Sequence, residues 1–365
     1  MSAVRQLIDT AVADRIVPGA VLAAGIGGAT MLIHTAGNAQ DDDSGRRPVS
    51  AGTIFDLASL TKVVATAPCM LLLAASGQLG LDDPAVRYLP SFTGPGKDQV
   101  TIRQLLTHTS GLPEHRAYYQ YLTDAGQLRA AALAEPLVAA PGSGCRYSDI
   151  GFMVLGQLAE AVCGCDLADT AWQLVCQPLR MTATQFRPPA SLAGRIASTE
   201  IVAGAARTGL VHDENAELAG GVAGHAGLFG TAADLGRYAA AWTCPAPELP
   251  DGLLPAGLRA EALRCQTAGL DGRRGLGWGL RGDRFDNMGD GWPRSGAGHT
   301  GFTGTSLSVD PVTGLWAVLL TNAVHFGRGR PIAPLRRQVH AAVAAALLGP
   351  PPAGPAQAVR PGARG

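Results

Sequence analysis

The stretch Phe55-Asp56-Leu57-Ala58-Ser59-Leu60-Thr61-Lys62-Val63-Val64 decides how the rest of the chain is read. Downstream, Val63, Val64, Ala67, Met70, Leu71 and Ala74 recur at helical spacing and Gly77 ends the run, which predicts a helix opening near Lys62. Ser59 then stands at a helix start, where free backbone N–H groups and the positive end of the helix dipole favour a developing negative charge. Lys62, three residues on, falls on the same face as the Ser59 hydroxyl. A serine hydroxyl is a weak nucleophile and needs a base beside it. A lysine serves as one only where burial or neighbouring charge lowers its pKa. Of the 29 Lys and Arg residues, only Lys62 and Lys97 are lysines. Arginine cannot give up its proton in a protein and lysine can, so a lysine kept here points to chemistry rather than surface charge. Alone, S-x-x-K is a common chance pattern and needs partners elsewhere in the chain.

The 365 residues, 47% apolar and formally neutral, describe a globular protein of one or two domains. There is no net positive charge for binding nucleic acid. Val4, Leu7, Ile8, Ala11, Val12 and Ile16 mark an amphipathic N-terminal helix. Arg5, Asp9, Asp14 and Arg15 interrupt any secretory apolar run, and no segment is long and apolar enough to span a bilayer. A cytoplasmic protein without a membrane partner is therefore expected. Seven scattered cysteines read as reduced thiols rather than a disulfide framework. Cys163-Gly-Cys165 lacks a second Cys/His pair at ligand spacing, so neither a metal nor another cofactor is expected.

Taken in order, Ala20 to Ile26 and Thr30 to Ala36 form a hairpin about Gly27-Gly28, and residues 41–48 read as a polar loop. Thr101-Ile102-Arg103-Gln104 is a capping box. Beyond it, His108 reads as a loop-tying residue rather than a general base. Residues 117–136 and 166–181 are expected to be helical, as is the segment after Asp149 (Phe152, Val154, Leu155, Leu158, Ala159, Val162). The glycine-rich Gly220 to Gly227 run predicts backbone packed close to another segment or a substrate. His212, Asp213, Glu214 and His225 match no metal motif and read as loop anchors. Thr231 to Asp234 caps a helix running to Trp242. Gly275 to Arg281 and Leu315 to Thr321 read as strands, and Ile332, Leu335, Val339, Val343 and Ala346 line a final helix. The expected fold class is α/β (α+β): an antiparallel β-sheet flanked by helices, built from both chain termini, with a mostly helical second lobe inserted. Residues 1–65 plus 275–348 would form the sheet domain, 66–274 the helical one and 349–365 a disordered tail. A cleft between the two lobes follows.

Three separated motifs line up in this order: Ser59-x-x-Lys62, Tyr147-Ser148-Asp149 and His299-Thr300-Gly301. Together they resemble the serine β-lactamase and penicillin-binding-protein superfamily, in the class C-like branch shared with DD-peptidases and esterases. His108 to Pro113 and Gly298 to Gly304 are similar to family phrases as well. The resemblance implies that Ser59 is acylated and that Lys62 and Tyr147 share the proton work, without saying which is the base. It implies an oxyanion hole made by the N–H groups of Ser59 and Phe302, with Asp149, His299, Thr300 and Gly301 contacting the substrate. Two departures stand out. Asp149 replaces the usual asparagine and is positioned to pair with Lys62, which would raise the lysine pKa and shift base duty to Tyr147. His299 replaces the usual lysine and would hold a substrate carboxylate less strongly. The expected function is hydrolysis of an amide or ester through an acyl-serine, on peptidoglycan-derived peptides or small esters. A β-lactamase or D-alanyl-D-alanine carboxypeptidase, and a catalytically inactive binding protein on the same fold, are the alternatives.

Overall fold

The computed structural model describes residues 1–244 and 253–349. The tail expected beyond Gly349, and part of the 244–275 stretch, lie outside these residues. Seven strands form one antiparallel sheet: β1 (Gly19–Ile26), β2 (Ala29–Asp42), β3 (Gly45–Pro48), β4 (Gly279–Leu280), β5 (Ala297–Thr300), β6 (Ser306–Val309) and β7 (Leu315–Thr321), in spatial order β3-β2-β1-β7-β6-β5-β4. The two chain ends meet where β1 pairs with β7, Ala20 opposite Thr321 and Ile26 opposite Leu315.

The period-2 alternation explains why β1 and β7 are apolar throughout. Leu22, Ala24, Leu315 and Leu319 point to one face, where the helices α1 (Ser2–Ala13) and α6 (Ile332–Leu348) cover them through Val4, Ile8, Val339 and Val343. Val21, Ala23, Trp316, Val318 and Leu320 point to the other face, into the main core. There they meet α5 (Ala232–Thr243), and α2 (Lys62–Ala75) lies in the same core. Two further helices build the lobe beside the sheet, α3 (Ile102–Leu106) and α4 (Asp149–Cys163). The Thr101/Gln104 capping box is formed. Ser148 caps α4 by accepting the Gly151 N–H at 3.0 Å, a bond of a kind worth about 1 kcal/mol. Among the described residues, no single helix is long and apolar enough to cross a membrane.

Three expectations are corrected. Residues 41–48 are not a loop: β2 runs on to Asp42 and pairs with β3. The Asp42 carboxylate accepts the Ser44 N–H at 3.0 Å and Arg46 reaches Asp41 at 3.0 Å, so polar residues make an exposed edge hairpin. The strand expected over Gly275 to Arg281 shrinks to β4, because the Gly275 N–H turns back to Trp278 O and the Gly277 N–H goes to Leu106 O in the other lobe. Residues 117–136 hold a short turn at Tyr118–Gln120 and a helix only over Ala125–Ala134, started by Asp124.

Candidate active site

Ser59 sits one residue before the chain turns helical at Leu60. The residue before it, Ala58, is held at φ +47°, a left-handed conformation uncommon for a side chain with a Cβ. Asp56 accepts the Ala58 N–H at 2.8 Å, and Thr61 Oγ1 donates to Ala58 O at 2.7 Å. The first turn of α2, Lys62–Thr66, is wound as a π-helix, with the Ala67 N–H donating to Lys62 O. Such bulges recur at functional sites.

Lys62 is fully buried, and its ammonium meets two hydrogen-bond acceptors and one carboxylate. Its Nζ lies 3.0 Å from Ser59 Oγ, 3.0 Å from His225 O and 2.7 Å from Asp149 Oδ1. Burial alone would lower the lysine pKa, but the Asp149 carboxylate and the neighbouring Tyr147 outweigh it, and the net shift is upward. Burial likewise pushes Asp149 up, yet the Lys62 charge, His115 and His225 reverse this and hold its carboxyl well below the usual carboxylate range. The two residues hold each other in the charged state, as the replacement of asparagine by aspartate implied.

The loop before α4 carries Tyr147 to Lys62, and the first residue of α4 is Asp149. The Lys62 ammonium lies 5.0 Å from the Tyr147 ring centroid. Tyr147 is fixed by His108: its carbonyl accepts the Arg146 N–H at 2.8 Å, its Nδ1 accepts the Ser148 N–H at 3.0 Å, and its ring packs on Tyr147 at 4.5 Å. His108 is a loop-tying residue, itself at φ +61°. Burial first, then Arg274 and Lys62, hold its pKa well below that of an ordinary histidine.

The glycine-rich run packs against α2 and α4. A Cβ on Gly224 would fall 1.9 Å from Phe152 O. Thr66 Oγ1 donates to Gly224 O at 2.6 Å, and His225 Nε2 pairs with Asp213 at 2.9 Å. Gly301 is equally tight, since its Cβ would fall 2.4 Å from Leu57 O. The Ser59 and Phe302 N–H groups have no backbone acceptor among the described residues. Phe302 itself is exposed and stacks on His212 at 5.6 Å.

His299 is buried, with Nδ1 2.9 Å from Thr300 O. That bond places the proton on Nδ1 and leaves Nε2 an acceptor, which has no partner among the described residues. Burial, then Lys62 and Arg274, bring its pKa down to about 3, so His299 is neutral at physiological pH.

The cleft holding Ser59, of about 350 Å³, is also lined by Tyr147, His299, Thr300, Gly301 and Phe302. Several residues around it were not singled out in the sequence, four of which bear on the site's geometry. Arg274 is buried against Asp283 at 3.0 Å. Phe285 is half-exposed beside Tyr147 at 5.7 Å. Arg336, from α6, is buried on the carbonyl of Gly301 at 2.5 Å. His115 reaches Asp149 at 3.6 Å. None lies in a recognisable local motif. Only the basic step Arg273-Arg274 before Gly275 hints at a site.

A serine hydroxyl bonded to a buried lysine, beside a tyrosine and two free N–H donors, on a seven-stranded sheet with a helical lobe, defines a serine hydrolase. The chain belongs to the Beta-lactamase family, which it matches over residues 4–342. It is 33% identical to the "Putative D-alanyl-D-alanine carboxypeptidase" of Escherichia coli (strain K12), over 76% of this chain and 71% of that one. It is 31% identical to the N-acetylmuramyl-L-alanine amidase of Bacillus subtilis (strain 168), over 77% and 70%. Among solved structures it superposes on EstCE1, a hydrolase with promiscuous acyltransferase activity, with a TM-score of 0.72 and 25% identity, covering 93% of this chain and 98% of that one.

Proposed function

We propose that this hydrolase works through an acyl-Ser59 intermediate on small substrates that carry an anionic group close to the scissile bond, of the peptidoglycan-peptide type. The observation that carries this is the lining of the Ser59 cleft: four arginines (Arg274, Arg328, Arg330, Arg336) and no carboxylate. Arg274 pairs with Asp283, and Arg328 with Glu200 and Glu214. Arg330 and Arg336 have no carboxylate partner among the described residues. Burial drops the pKa of Arg336 to about 10, and a buried cation without a counter-ion is costly unless a ligand anion meets it. With His299 neutral, Arg336 and Arg330 take over the attraction that the motif lysine would give. Similarity to the carboxypeptidase and the amidase supports the same substrate class.

The protonation pattern supports Tyr147 as the base. Lys62 is held as an ammonium beside Asp149 and donates to Ser59 Oγ, so it cannot take the Ser59 proton in that state. Acting as the phenolate beside the Lys62 ammonium, Tyr147 accepts that proton as Oγ attacks the carbonyl and becomes the neutral phenol. The carbonyl oxygen gains charge between the Ser59 and Phe302 N–H groups, and the leaving group departs with the proton. Water then attacks the acyl-Ser59 carbonyl, the C–Oγ bond breaks, and Oγ recovers a proton. The seven free thiols support a reducing compartment.

The test has two arms. A fluorophosphonate probe should label wild-type protein at Ser59 and leave S59A unlabelled. A peptide ending in D-alanyl-D-alanine with a free carboxylate should be cleaved with at least a tenfold higher kcat/KM than its C-terminal amide. Equal turnover of the two would remove the anionic substrate. The apolar wall of Phe285, Val324 and Ile332 favours a second reading, a small-ester hydrolase, for which a p-nitrophenyl ester would outrun both peptides.

A further inference from the structure

Behind the nucleophile lies a carboxylate that the mechanism above leaves without a role. Asp56 is only 2% exposed. Its Oδ1 accepts the Ala58 N–H at 2.8 Å, and its Oδ2 accepts the His212 N–H at 2.6 Å. Its own carbonyl accepts Thr303 Oγ1 at 2.7 Å, and the next carbonyl, Leu57 O, accepts Thr305 Oγ1 at 3.1 Å. No cation pairs with it among the described residues. Two backbone N–H dipoles alone satisfy the carboxylate.

We propose that Asp56 is a positioning residue that keeps the Ser59 and Phe302 N–H donors in register with each other. The proposal rests on the acyl-Ser59 reading. Each bond bears on one of the two donors. The bond to Ala58 closes a tight turn and holds the left-handed backbone immediately before Ser59. The bond to His212 fixes the segment whose ring stacks on Phe302. The bond from Thr303 ties down the residue immediately after Phe302. The oxyanion donors come from chain segments more than two hundred residues apart in sequence, and one side chain with its own carbonyl joins both. Donors of this kind work only when preorganised at the position the oxyanion will occupy.

The electrostatics agree with the geometry. Burial raises the Asp56 carboxyl to about 6, against the lowering effect of its two N–H bonds and of His212; Asp213 adds to the rise. His212 and Asp213 are the titratable groups facing it. The Leu228–Gly230 strand and the Thr303–Thr305 turn packed on it bring none. Protonation would aim an O–H at an N–H that now donates, so one of the two ties opens as the pH falls through about 6.

The test uses the full chain and a p-nitrophenyl ester. D56N, which sets an amide N–H₂ against one of the two backbone donors, should lower kcat about 100-fold. KM should stay within twofold, and the wild-type decline in kcat below about pH 6 should flatten. T303V cuts the tie on the Phe302 side and should lower kcat about tenfold with KM unchanged, which decides the matter if D56N does not fold. A folded D56N with wild-type kcat and pH profile, or, with D56N unfolded, a T303V at wild-type kcat, would overturn the proposal while wild-type labelling at Ser59 still stood. Failure of that labelling would instead bring down the acyl-serine reading and this one with it.

Discussion

The Asp149 carboxylate and the Lys62 ammonium lie 2.7 Å apart, with the lysine fully buried and the aspartate also reached by His115 at 3.6 Å. An asparagine at position 149 would keep the shape and remove the charge that holds Lys62 protonated. Burial, the largest influence on the lysine, would then be opposed by Tyr147 alone and would lower its pKa. The sign of the stability effect follows. In D149N the folded pKa of Lys62 falls below its unfolded value, so the folded state binds fewer protons and loses stability as the pH drops. D149N should be destabilised by about 3 kcal/mol at pH 6, in the range for breaking a buried pair. Part of that loss should return by pH 9, measured by urea denaturation at both pH values. An identical loss at the two would mean that the pair does not set the charge of Lys62.

If Tyr147 is the base, removing its hydroxyl should cost more than any other change near Ser59 that spares the serine. Y147F should keep the fold, because the ring still packs on His108. It should lose about 10²- to 10⁴-fold in kcat/KM, the scale of general base catalysis. Its rate of labelling by a fluorophosphonate should fall in proportion. Wild-type labelling by Y147F would return base duty to Lys62 and require a neutral lysine in the reactive state.

His299 gives a pH prediction independent of activity. Its folded pKa is about 3 and the ordinary histidine value is 6.5. His340, buried beside Arg336, is brought to about 3 as well. Below pH 6.5 the unfolded chain takes up protons that these two sites refuse, so stability is lost as the pH falls from 6.5 toward 3. Each site adds a slope of up to about 1.4 kcal/mol per pH unit. H299N removes one of them. Its stability should depend on pH between 6 and 4 by about one proton less than wild type, read from denaturation curves at three pH values. Parallel pH dependences would show that His299 is charged in the folded state.

The parts of this architecture that were legible in sequence are those written in a local period. The apolar alternation of β1 and β7, the Thr101/Gln104 capping box and the spacing of Lys62 from Ser59 each constrain only neighbours, and each took its expected form. The charge pair was legible too, because an aspartate standing for an asparagine beside a lysine has one obvious partner. What escaped notice depends on distant chain crossings. Residues 41–48 look like a loop because an edge hairpin tolerates polar side chains on an exposed surface. Arg336 is indistinguishable in sequence from Arg337, yet one lies under Gly301 and the other is a surface residue. Asp56 stands three residues from the nucleophile and carries no motif of its own. Its importance comes from His212 and Thr303, both far along the chain.

The glycine run supports a prediction about stability and activity together. Gly156 in α4 and Gly224 in the loop cross in van der Waals contact: a Cβ on Gly156 would fall 2.9 Å from Gly224 Cα, and one on Gly224 would fall 1.9 Å from Phe152 O. Backbone atoms cannot yield as a flexible side chain does, so the loop has to move away from the helix. The next residue in that loop supplies His225 O, one of the two hydrogen-bond acceptors on Lys62. G224A should therefore destabilise the protein by about 2–3 kcal/mol or more, the scale of overpacking a tight core. It should also lower kcat at temperatures where the fold is intact, because Lys62 loses an acceptor and its placement on Ser59. G220A is the control: its Cβ meets nothing within 4 Å, but its φ of +79° carries strain. It should show a modest stability loss with kcat unchanged. Thermal denaturation and single-temperature kinetics on the two variants separate the crossing from ordinary backbone strain. A G224A with full kcat would mean that the loop does not govern the lysine.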